Sequence, residues 1–394
     1  MFGDTPLIMV EDAEELRRVA AILDRASVIG VDTESDSFYS YTEKVCLLQI
    51  SDSEADYIID PLRVRDLSPL APIMADPSVV KILHGADYDV VCLKRDYGFE
   101  FHNLFDTLIA AQLLGAPRVG LGDLINDNFG IKLDKLYQRH NWSLRPLREE
   151  HLEYARGDTH WLLALRELML RKLRRSHRVR HLKEECGLIE KREWKGRTFD
   201  SDGYLDIKQS GGLSDTGKRV LRRLYLYRNG QAEKMNRPTF KVIPDTVLVR
   251  LAEKQPTGTR ELDRAIPSKS AMKRRHAAGL LDAVREGLED DFEIPARRKP
   301  KKGRRKPAGS RPRLRGRAAE KAMADLKAWR NDLIQSGRGY TPFTTASNTV
   351  LKAIASSRPT TLEELSEVPD VRRWQVRDFG DEFLAILDKV DPND

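Results

Sequence analysis

The stretch SVIGVDTES, from Ser27 to Ser35, joins a buried-strand pattern to two acidic residues. Four uncharged residues, 28–31, lead directly into Asp32-Thr33-Glu34. Buried strands usually end in a turn residue, and side chains two positions apart on a strand point to the same face. Asp32 and Glu34 therefore project together, about 7 Å apart along the chain. Carboxylates this close repel each other unless a cation lies between them, and they favour hard cations such as Mg²⁺ or Mn²⁺.

Strand patterns surround this stretch, and helical patterns follow it. Apolar runs predict strands at residues 27–31, 44–50, 56–59 and 79–83. A helix is predicted over 87–97, with Asp87 as its cap, and helical periodicity dominates from 104 to about 195. Strands followed by helices around one sheet indicate an α/β domain of about 200 residues.

Two later segments carry further acids. Asp89 lies in the first turn of the predicted helix, after a strand that ends at His84. In the segment YARGD, Tyr154 and Asp158 stand at i and i+4 and share one helix face. A histidine that ends a core strand fits a structural role as well as a contact to substrate. The candidate site therefore consists of Asp32, Glu34, Asp89 and Asp158, with Tyr154 one helical turn before the last of them.

Composition limits the class of protein. The chain of 394 residues has room for two or three domains. It lacks an apolar run long enough to cross a membrane, and its acidic start does not resemble a signal peptide. Cys46, Cys92 and Cys186 are widely spaced among aliphatic or helical neighbours, which indicates reduced core thiols and favours a cytoplasmic protein without a Cys/His zinc site.

Positive charge is concentrated in one segment. Residues 297–317 hold twelve Lys or Arg and no acid, so the net charge of +7 leaves −5 on the rest of the chain. Proline and glycine interrupt the run, which predicts a flexible basic linker over residues 293–317. The linker is either a solvated spacer or a tether for a polyanion such as nucleic acid.

A repeat indicates two small helical domains around this linker. Residues 238–262 resemble the segment 103 positions later, with Pro256 over Pro359 among the matches. Asp245 and Asn348 are predicted to cap the same helix in each copy, and the two prolines to stop it. The predicted organisation is a first domain over 1–205, helical domains over 206–292 and 318–394, and the linker between them.

The order and spacing of these residues resemble the DEDD exonuclease superfamily, in the subgroup whose third motif is Tyr-x-x-x-Asp. The segment 133–165 resembles the ribonuclease D family in particular, where Lys135, Gln138, Trp142 and Arg145-Pro146-Leu147 match its signature. The two repeats resemble HRDC modules, which are helical nucleic-acid-binding domains. The resemblance implies a ribonuclease H-like α/β exonuclease domain, with a mixed sheet flanked by helices, followed by two all-α HRDC-like domains.

The resemblance also implies a reaction and a division of roles. Two divalent metal ions, Mg²⁺ or Mn²⁺, would be shared by the acids: Asp32 bridging both, Glu34 and Asp158 on one, and Asp89 on the other. Tyr154 would orient the attacking water. Candidate substrate contacts are Thr33, His84 and Lys135. The implied function is 3′→5′ exoribonuclease activity that releases 5′-mononucleotides from tRNA precursors and other small structured RNAs, with no obligate protein partner.

Two alternatives remain open. A DNA exonuclease of the proofreading or helicase-associated kind is one, although the sequence contains no G-x-x-x-x-G-K-[ST] loop. A catalytically inactive RNA-binding adaptor is the other, although all four carboxylates and the tyrosine are present.

Overall fold

The computed structural model describes residues 2–194, 196, 199–266, 271–295, 316–337 and 339–391. Two compact units comprise Met1–Glu34, Val45–Trp194 and Arg305–Asp394 in the first, and Ser35–Lys44 and Lys195–Arg304 in the second. Nearly all of the predicted basic linker, residues 296–315, lies outside the described residues. The predicted domain boundaries stay predictions. Over the described ranges, no helix combines the length and apolarity needed to span a bilayer.

The first unit is built on one mixed sheet of six strands, in the order β1-β4-β3-β2-β5-β6. The strands are β1 Leu7–Val10, β2 Val28–Ser35, β3 Val45–Ser51, β4 Asp56–Ile59, β5 Val80–Leu83 and β6 Leu104–Asp106. The pairs β1–β4, β2–β5 and β5–β6 are parallel, whereas β3–β4 is antiparallel. The strand with the two acids, β2, is therefore an inner strand of the sheet.

Helices pack against this sheet and enclose its core. They are α1 Ala13–Leu23, α2 Ala71–Ala75, α3 Asp87–Tyr97, α4 Thr107–Leu113, α5 Leu121–Phe129, α6 Glu149–His160, α7 Leu162–Arg175 and α8 Val179–Glu190. One hydrophobic cluster joins β-strand residues such as Ile29 and Val31 to Leu162 and Leu165 of α7. Cys46, Cys92 and Cys186 are buried thiols, as the sequence predicts. The mixed α/β fold is confirmed.

The four predicted strands and the helix over 87–97 are present, with three corrections. β2 extends four residues beyond its predicted end, so Asp32 and Glu34 lie within the strand. β1 and β6 were not predicted. Asp87 is the first residue of α3, not its cap, because Ala86 holds the cap position without a side-chain hydrogen bond. The carboxylate of Asp106 instead accepts hydrogen bonds from the backbone N–H groups of Gly85 and Ala86, at 3.1 and 2.8 Å.

The second unit contains α9 Asp215–Lys234, α10 Thr239–Val242, α11 Asp245–Lys254, α12 Thr259–Ala265 and α13 Ala271–Glu289. In the first unit, α14 Gly316–Gln335, α15 Asn348–Ser357, α16 Leu362–Ser366 and α17 Arg373–Asp388 follow the linker. Short 3₁₀ helices lie at Ser68–Leu70, Gly203–Asp206 and Ser210–Gly212. Each helical set has its own hydrophobic cluster.

The internal repeat is confirmed in structural detail. α11 and α15 begin and end 103 positions apart, and each is followed by a left-handed residue, Gln255 or Arg358, before the proline. Buried Arg228 and Arg330 each donate to a backbone carbonyl at 3.0 Å, that of Ile243 or Ala346. These matching contacts, from α9 and α14 to the residue two positions before α11 and α15, define one module in two copies.

The predicted caps of the repeated helix are wrong by one residue. Asp245 and Asn348 are the first helical residues, and the cap positions belong to Pro244 and Ser347. The Ser347 hydroxyl accepts from the N–H of Val350 at 3.3 Å, which is a serine N-cap. An acid is also favoured in the first turn of a helix, so the pattern at Asp245 fits either position.

Candidate active site

Three carboxylates converge where β2 faces α6. One oxygen each from Asp32, Glu34 and Asp158 lies within 4.8 Å of the other two. The i, i+2 spacing on β2 supplies the first two on one face, and α6 supplies the third. The predicted convergence of two strand acids and a helix acid is therefore present in the structure.

Gly30 allows α6 to come this close to β2. A Cβ atom added at Gly30 would lie 3.0 Å from the carbonyl oxygen of Thr159 and 3.3 Å from Cβ of Leu162. The first contact is to backbone at the α6–α7 corner, one residue after Asp158. Because a real side chain would push this corner away, the glycine sets the distance between the strand acids and Asp158.

Asp89 stands beside this three-carboxylate group. It lies in the first turn of α3 and is buried, and its Oδ1 accepts a hydrogen bond from the Thr33 hydroxyl. Thr33 was predicted as a substrate contact, and the structure shows its hydroxyl on Asp89. The charge of Asp89 acts on Asp32, Glu34 and Asp158 strongly enough to raise the pKa of each.

All four carboxyl groups have raised pKa values, and burial is the largest cause in each. Burial raises the pKa of Asp89 to about 6 despite the hydrogen bond from Thr33. Burial and then the charge of Asp89 raise the pKa of Asp158 to about 7. For Asp32 and Glu34, burial and the neighbouring acids hold the pKa well above its usual range. The cluster therefore resists ionisation until a cation offsets its charge.

Tyr154 lies one turn before Asp158 on α6, with its ring held by aromatic neighbours. The Trp142 ring is tilted against it at 5.8 Å, and the Tyr137 ring meets it edge-on at 6.0 Å. Burial, followed by the charges of Asp158 and Glu34, raises the pKa of its phenol far above the ordinary value. The hydroxyl therefore stays protonated at neutral pH and acts as a hydrogen-bond donor.

Tyr154 and Asp158 also line a cleft of about 490 Å³. Other lining residues include Phe2, Leu133 and Tyr137, and acids at Asp134, Glu149, Glu150 and Glu153. No lysine or arginine is among the lining residues that the structure describes. A phosphate group can approach this acidic wall favourably only when cations offset the negative charge.

A buried network anchors α6 to the sheet, and the sequence analysis did not identify it. Arg156 donates to Asp56 Oδ2 through Nε at 2.9 Å and Nη2 at 2.6 Å, and to the carbonyl of Thr5 at 2.9 Å. Nδ1 of His160 lies 2.9 Å from the same oxygen, and the Ser51 hydroxyl donates to Oδ1 at 2.6 Å. Burial raises the pKa of Asp56, but the hydrogen bonds from His160, Ser51 and Arg156 outweigh it and lower the pKa.

This network flanks Asp158 on α6, since Arg156 and His160 lie two residues before and after it. The sequence does contain one signal for this network: Asp56 is an acid at the first position of β4, a strand whose other residues are largely apolar. The matching arginine lies 100 positions away, which no local pattern reveals.

The segment before α6, which carries the residues that match the ribonuclease D signature, provides a second anchor between α6 and the sheet. Arg145 forms a two-pronged ion pair with Asp60, Nε to Oδ2 at 2.6 Å and Nη2 to Oδ1 at 2.8 Å, and donates to the carbonyl of Cys46 at 2.9 Å. Trp142 is buried in a cluster with Cys46 and Ala155. These contacts hold the segment before α6 against β3 and the end of β4.

Two predicted substrate contacts have other neighbours in the structure. Nδ1 of His84 lies 2.9 Å from the Thr107 hydroxyl, and burial lowers its pKa, which fits the structural role. Lys135 is exposed, and its Cε lies 3.5 Å from where a Cβ of Gly122 would be. Neither is among the three residues of the carboxylate group. Their roles toward substrate stay predictions.

The donor set fits a hard divalent cation. Carboxylate oxygens are the ligands that Mg²⁺ and Mn²⁺ favour, and three of them already lie at ligand-sharing distance. In the part of the chain that the structure describes, no basic side chain forms an ion pair with Asp32, Glu34, Asp89 or Asp158. The acids are thus arranged for a charge that the described side chains do not supply.

Comparison with known families agrees with this geometry. Residues 7–174 match the model of the DNA polymerase A-type 3′-5′ exonuclease domain, and residues 217–284 and 319–387 match the HRDC domain. The first match spans the sheet and all five site residues. The second covers both copies of the repeated helical module.

Individual proteins are similar over most of this chain. Ribonuclease D of Desulfotalea psychrophila is 30% identical over 295 residues, which cover 74% of this chain and 78% of that protein. Protein RRP6-like 2 of Arabidopsis thaliana is 30% identical over 297 residues, 72% of this chain, but this chain spans only 34% of its length. The crystal structure of Escherichia coli RNase D shares the fold, with a TM-score of 0.69, 22% identity and coverage of 98% and 99% of the two chains. The chain therefore belongs to the ribonuclease D family of 3′–5′ exonucleases.

Proposed function

We propose that this protein is a 3′→5′ exoribonuclease that hydrolyses phosphodiester bonds and releases 5′-mononucleotides. The observation that carries the proposal is the convergence of Asp32, Glu34 and Asp158 within 4.8 Å, with Asp89 and Tyr154 beside them. A partly buried acid cluster of this kind suits metal-assisted hydrolysis of an anionic substrate. RNA is the proposed substrate because a relative covered over most of its length is a ribonuclease D.

Two divalent ions are the proposed cofactors, Mg²⁺ or Mn²⁺. Asp32, Glu34 and Asp158 would hold one ion, and Asp89 with Asp32 the other. Such a pair of ions stabilises charge on both the attacking and the leaving oxygen of a phosphodiester. The protein contributes a fixed frame, since Gly30 and the Arg156–Asp56 pair hold α6 against the sheet.

Tyr154 is proposed to orient the attacking water. Its phenol keeps its proton at neutral pH because burial and the nearby acids raise its pKa, so it cannot serve as the base. A protonated hydroxyl can donate a hydrogen bond to the water or to the scissile phosphate. The tilted Trp142 ring and the edge-on Tyr137 ring restrict where that hydroxyl points.

The finer parts of the proposal concern substrate and setting. Precursors of tRNA and other small structured RNAs are the proposed substrates. The enzyme is proposed to act on them in the cytoplasm, without an obligate protein partner. The two HRDC modules support binding of a structured RNA over a surface larger than the catalytic site. A basic linker at residues 293–317 would add contacts to phosphate.

The test is digestion of 5′-labelled RNA and DNA oligonucleotides of matched sequence with Mn²⁺. We expect one-nucleotide shortening of RNA from its 3′ end, with 5′-mononucleotides as products. Asp32→Asn should reduce turnover more than about a hundredfold, because losing a metal ligand costs several kcal/mol in the transition state. Glu100→Gln, an exposed acid away from the site, is the control.

Three outcomes would contradict the proposal. Faster digestion of DNA would favour the DNA exonuclease. RNA binding without cleavage by the unaltered protein would favour the inactive adaptor. Turnover above about a tenth of normal in Asp32→Asn would remove this carboxylate from the metal site.

A further inference from the structure

A second cleft in the first unit is lined by arginines rather than acids. It has a volume of about 650 Å³ and lies where the corner between α7 and α8 meets α17 and the segment before α15. Arg174, Arg178, Arg180 and Arg377 line it, and Asp378 is the only acid among its described lining residues. With histidines neutral, the lining carries a net charge of +3, opposite in sign to the cleft beside Tyr154.

The two sides of this cleft are held together by specific contacts. Both carboxylate oxygens of Glu184, on α8, accept from the first backbone N–H groups of α17, at 2.6 and 3.1 Å. The neighbouring Glu185 accepts from Arg372 Nε at 3.0 Å and from the Trp374 indole N–H at 3.0 Å. An acidic side chain at a helix N-terminus is favourable, so α8 caps α17 across the interface. The cleft is therefore a formed feature of the unit.

The one acid among the described lining residues already has partners within the unit. Asp378 pairs with His181 at 2.7 Å and with Arg377 Nε at 2.7 Å. Among the residues that the structure describes, neither Arg174 nor Arg180 forms an ion pair, and both are exposed. Two guanidinium groups thus face the cleft with their hydrogen-bonding capacity available to an anion.

Arg178 adds a fixed element between them. It donates to the carbonyl of Leu113, and its guanidinium lies over the Tyr340 ring at 5.6 Å from the centroid. The connection that carries it is tight, because α7 and α8 are separated by only residues 176–178 and His177 has a φ of 57°. This turn brings arginines from the end of α7 and the start of α8 to the same cleft.

We propose that this cleft binds the phosphodiester backbone of the RNA substrate at a distance from the cleaved end. The proposal rests on the exoribonuclease function proposed above. Guanidinium groups recognise phosphate oxygens in a two-pronged geometry. Arginines spread over α7, α8 and α17 contact more than one phosphate, which favours a strand over a single inorganic anion. The partly buried Tyr340 ring offers an apolar surface for a sugar or base.

The test compares Arg174→Glu/Arg180→Glu with a matched control pair outside the cleft, Arg17→Glu/Arg25→Glu; Arg17 lies on α1, Arg25 lies two residues after its end, and both are also exposed. Full-length protein carrying Asp32→Asn binds, without cleaving, a hairpin RNA with a single-stranded 3′ tail across a salt series. Losing two phosphate contacts should lower the slope of log K against log salt by about 1.4–1.8 and weaken binding about tenfold or more at low salt. The control pair should leave the affinity and the salt slope unchanged.

Two further measurements separate the possible failures. With Asp32 intact, hydrolysis of a pentanucleotide should be the same for the cleft pair and the unaltered protein, since a short substrate reaches only the catalytic site. Absence of hydrolysis in the unaltered protein would defeat the proposed function instead. Arg174→Lys/Arg180→Lys should restore most of the salt slope. Equal RNA affinity and equal salt slope in the Glu pair and the unaltered protein would overturn the cleft assignment. So would a Glu pair that loses binding of inorganic phosphate but keeps its affinity for RNA.

Discussion

Replacing Asp158 by Asn should stabilise the metal-free protein at alkaline pH while abolishing its activity. Burial and Asp89 raise the pKa of Asp158 from an ordinary 3.8 to about 7. Each tenfold change in proton affinity corresponds to about 1.4 kcal/mol, so ionising this carboxyl costs the metal-free fold on the order of 4 kcal/mol. Asparagine removes that cost, together with part of the repulsion felt by Asp32 and Glu34.

The pH dependence has a definite sign. Between pH 4 and 7 the folded state binds more protons at this site than the unfolded state, so the free energy of unfolding falls as the pH rises. Denaturant titrations in EDTA from pH 5 to 8 should therefore show a growing advantage for Asp158→Asn. Glu100→Gln, an exposed acid on the same unit, should show no such trend.

Adding Mn²⁺ should make the unaltered protein more stable than the Asp158→Asn variant, which reverses the order of stability in EDTA. A ligand that binds only the folded state stabilises it by RT ln(1 + [L]/Kd), and the unaltered protein has the full ligand set. A less stable Asp158→Asn protein at pH 8 in EDTA, or a flat pH profile for the unaltered protein, would refute the assignment of a repulsive, cation-binding cluster.

Three other variants test the parts of the site separately. Tyr154→Phe should lower turnover by about 10² or more with unchanged Mn²⁺ affinity, because the hydroxyl orients water and holds no ion; loss of Mn²⁺ binding would contradict this role. Gly30→Ala should cost about 1–3 kcal/mol and reduce turnover, since its Cβ meets the Thr159 carbonyl at 3.0 Å; normal turnover would mean that the corner relaxes freely. Arg156→Met should destabilise by about 3–5 kcal/mol in denaturant titrations, because Asp56 stays buried without its ion pair, and an effect under about 1 kcal/mol would exclude this anchor.

The sequence predicts those features that depend on local pattern. Apolar runs marked four strands, and the i, i+2 and i, i+4 spacings identified Asp32, Glu34, Tyr154 and Asp158 as neighbours on their own elements. β6 escaped because its three residues are too few for a period to show. β1 has four residues, as do the predicted strands β4 and β5, so its length alone does not explain why it was missed.

Contacts between distant segments lie beyond such patterns. The Arg156–Asp56 pair joins residues 100 positions apart, and its partners are set by how α6 lies on the sheet. Gly30 reads as one apolar strand residue among others until the helix corner above it is known. Thr33 was predicted as a substrate contact, but the direction of its hydroxyl toward Asp89 depends on α3.

The capping of α17 by α8 has a consequence for how the protein is made. Glu185 and Arg372 are 187 residues apart, so α8 leaves the ribosome about 10–40 s before its partner at ordinary rates of translation. During that interval Glu184, Glu185 and His181 must stay hydrated on an exposed helix face. The exonuclease sheet can fold early, whereas the arginine-lined cleft is completed only when the last helical module emerges. A ribosome stalled before Arg372 should therefore carry a nascent chain with a folded sheet and an unfinished α8 surface, which protease protection of stalled chains can detect.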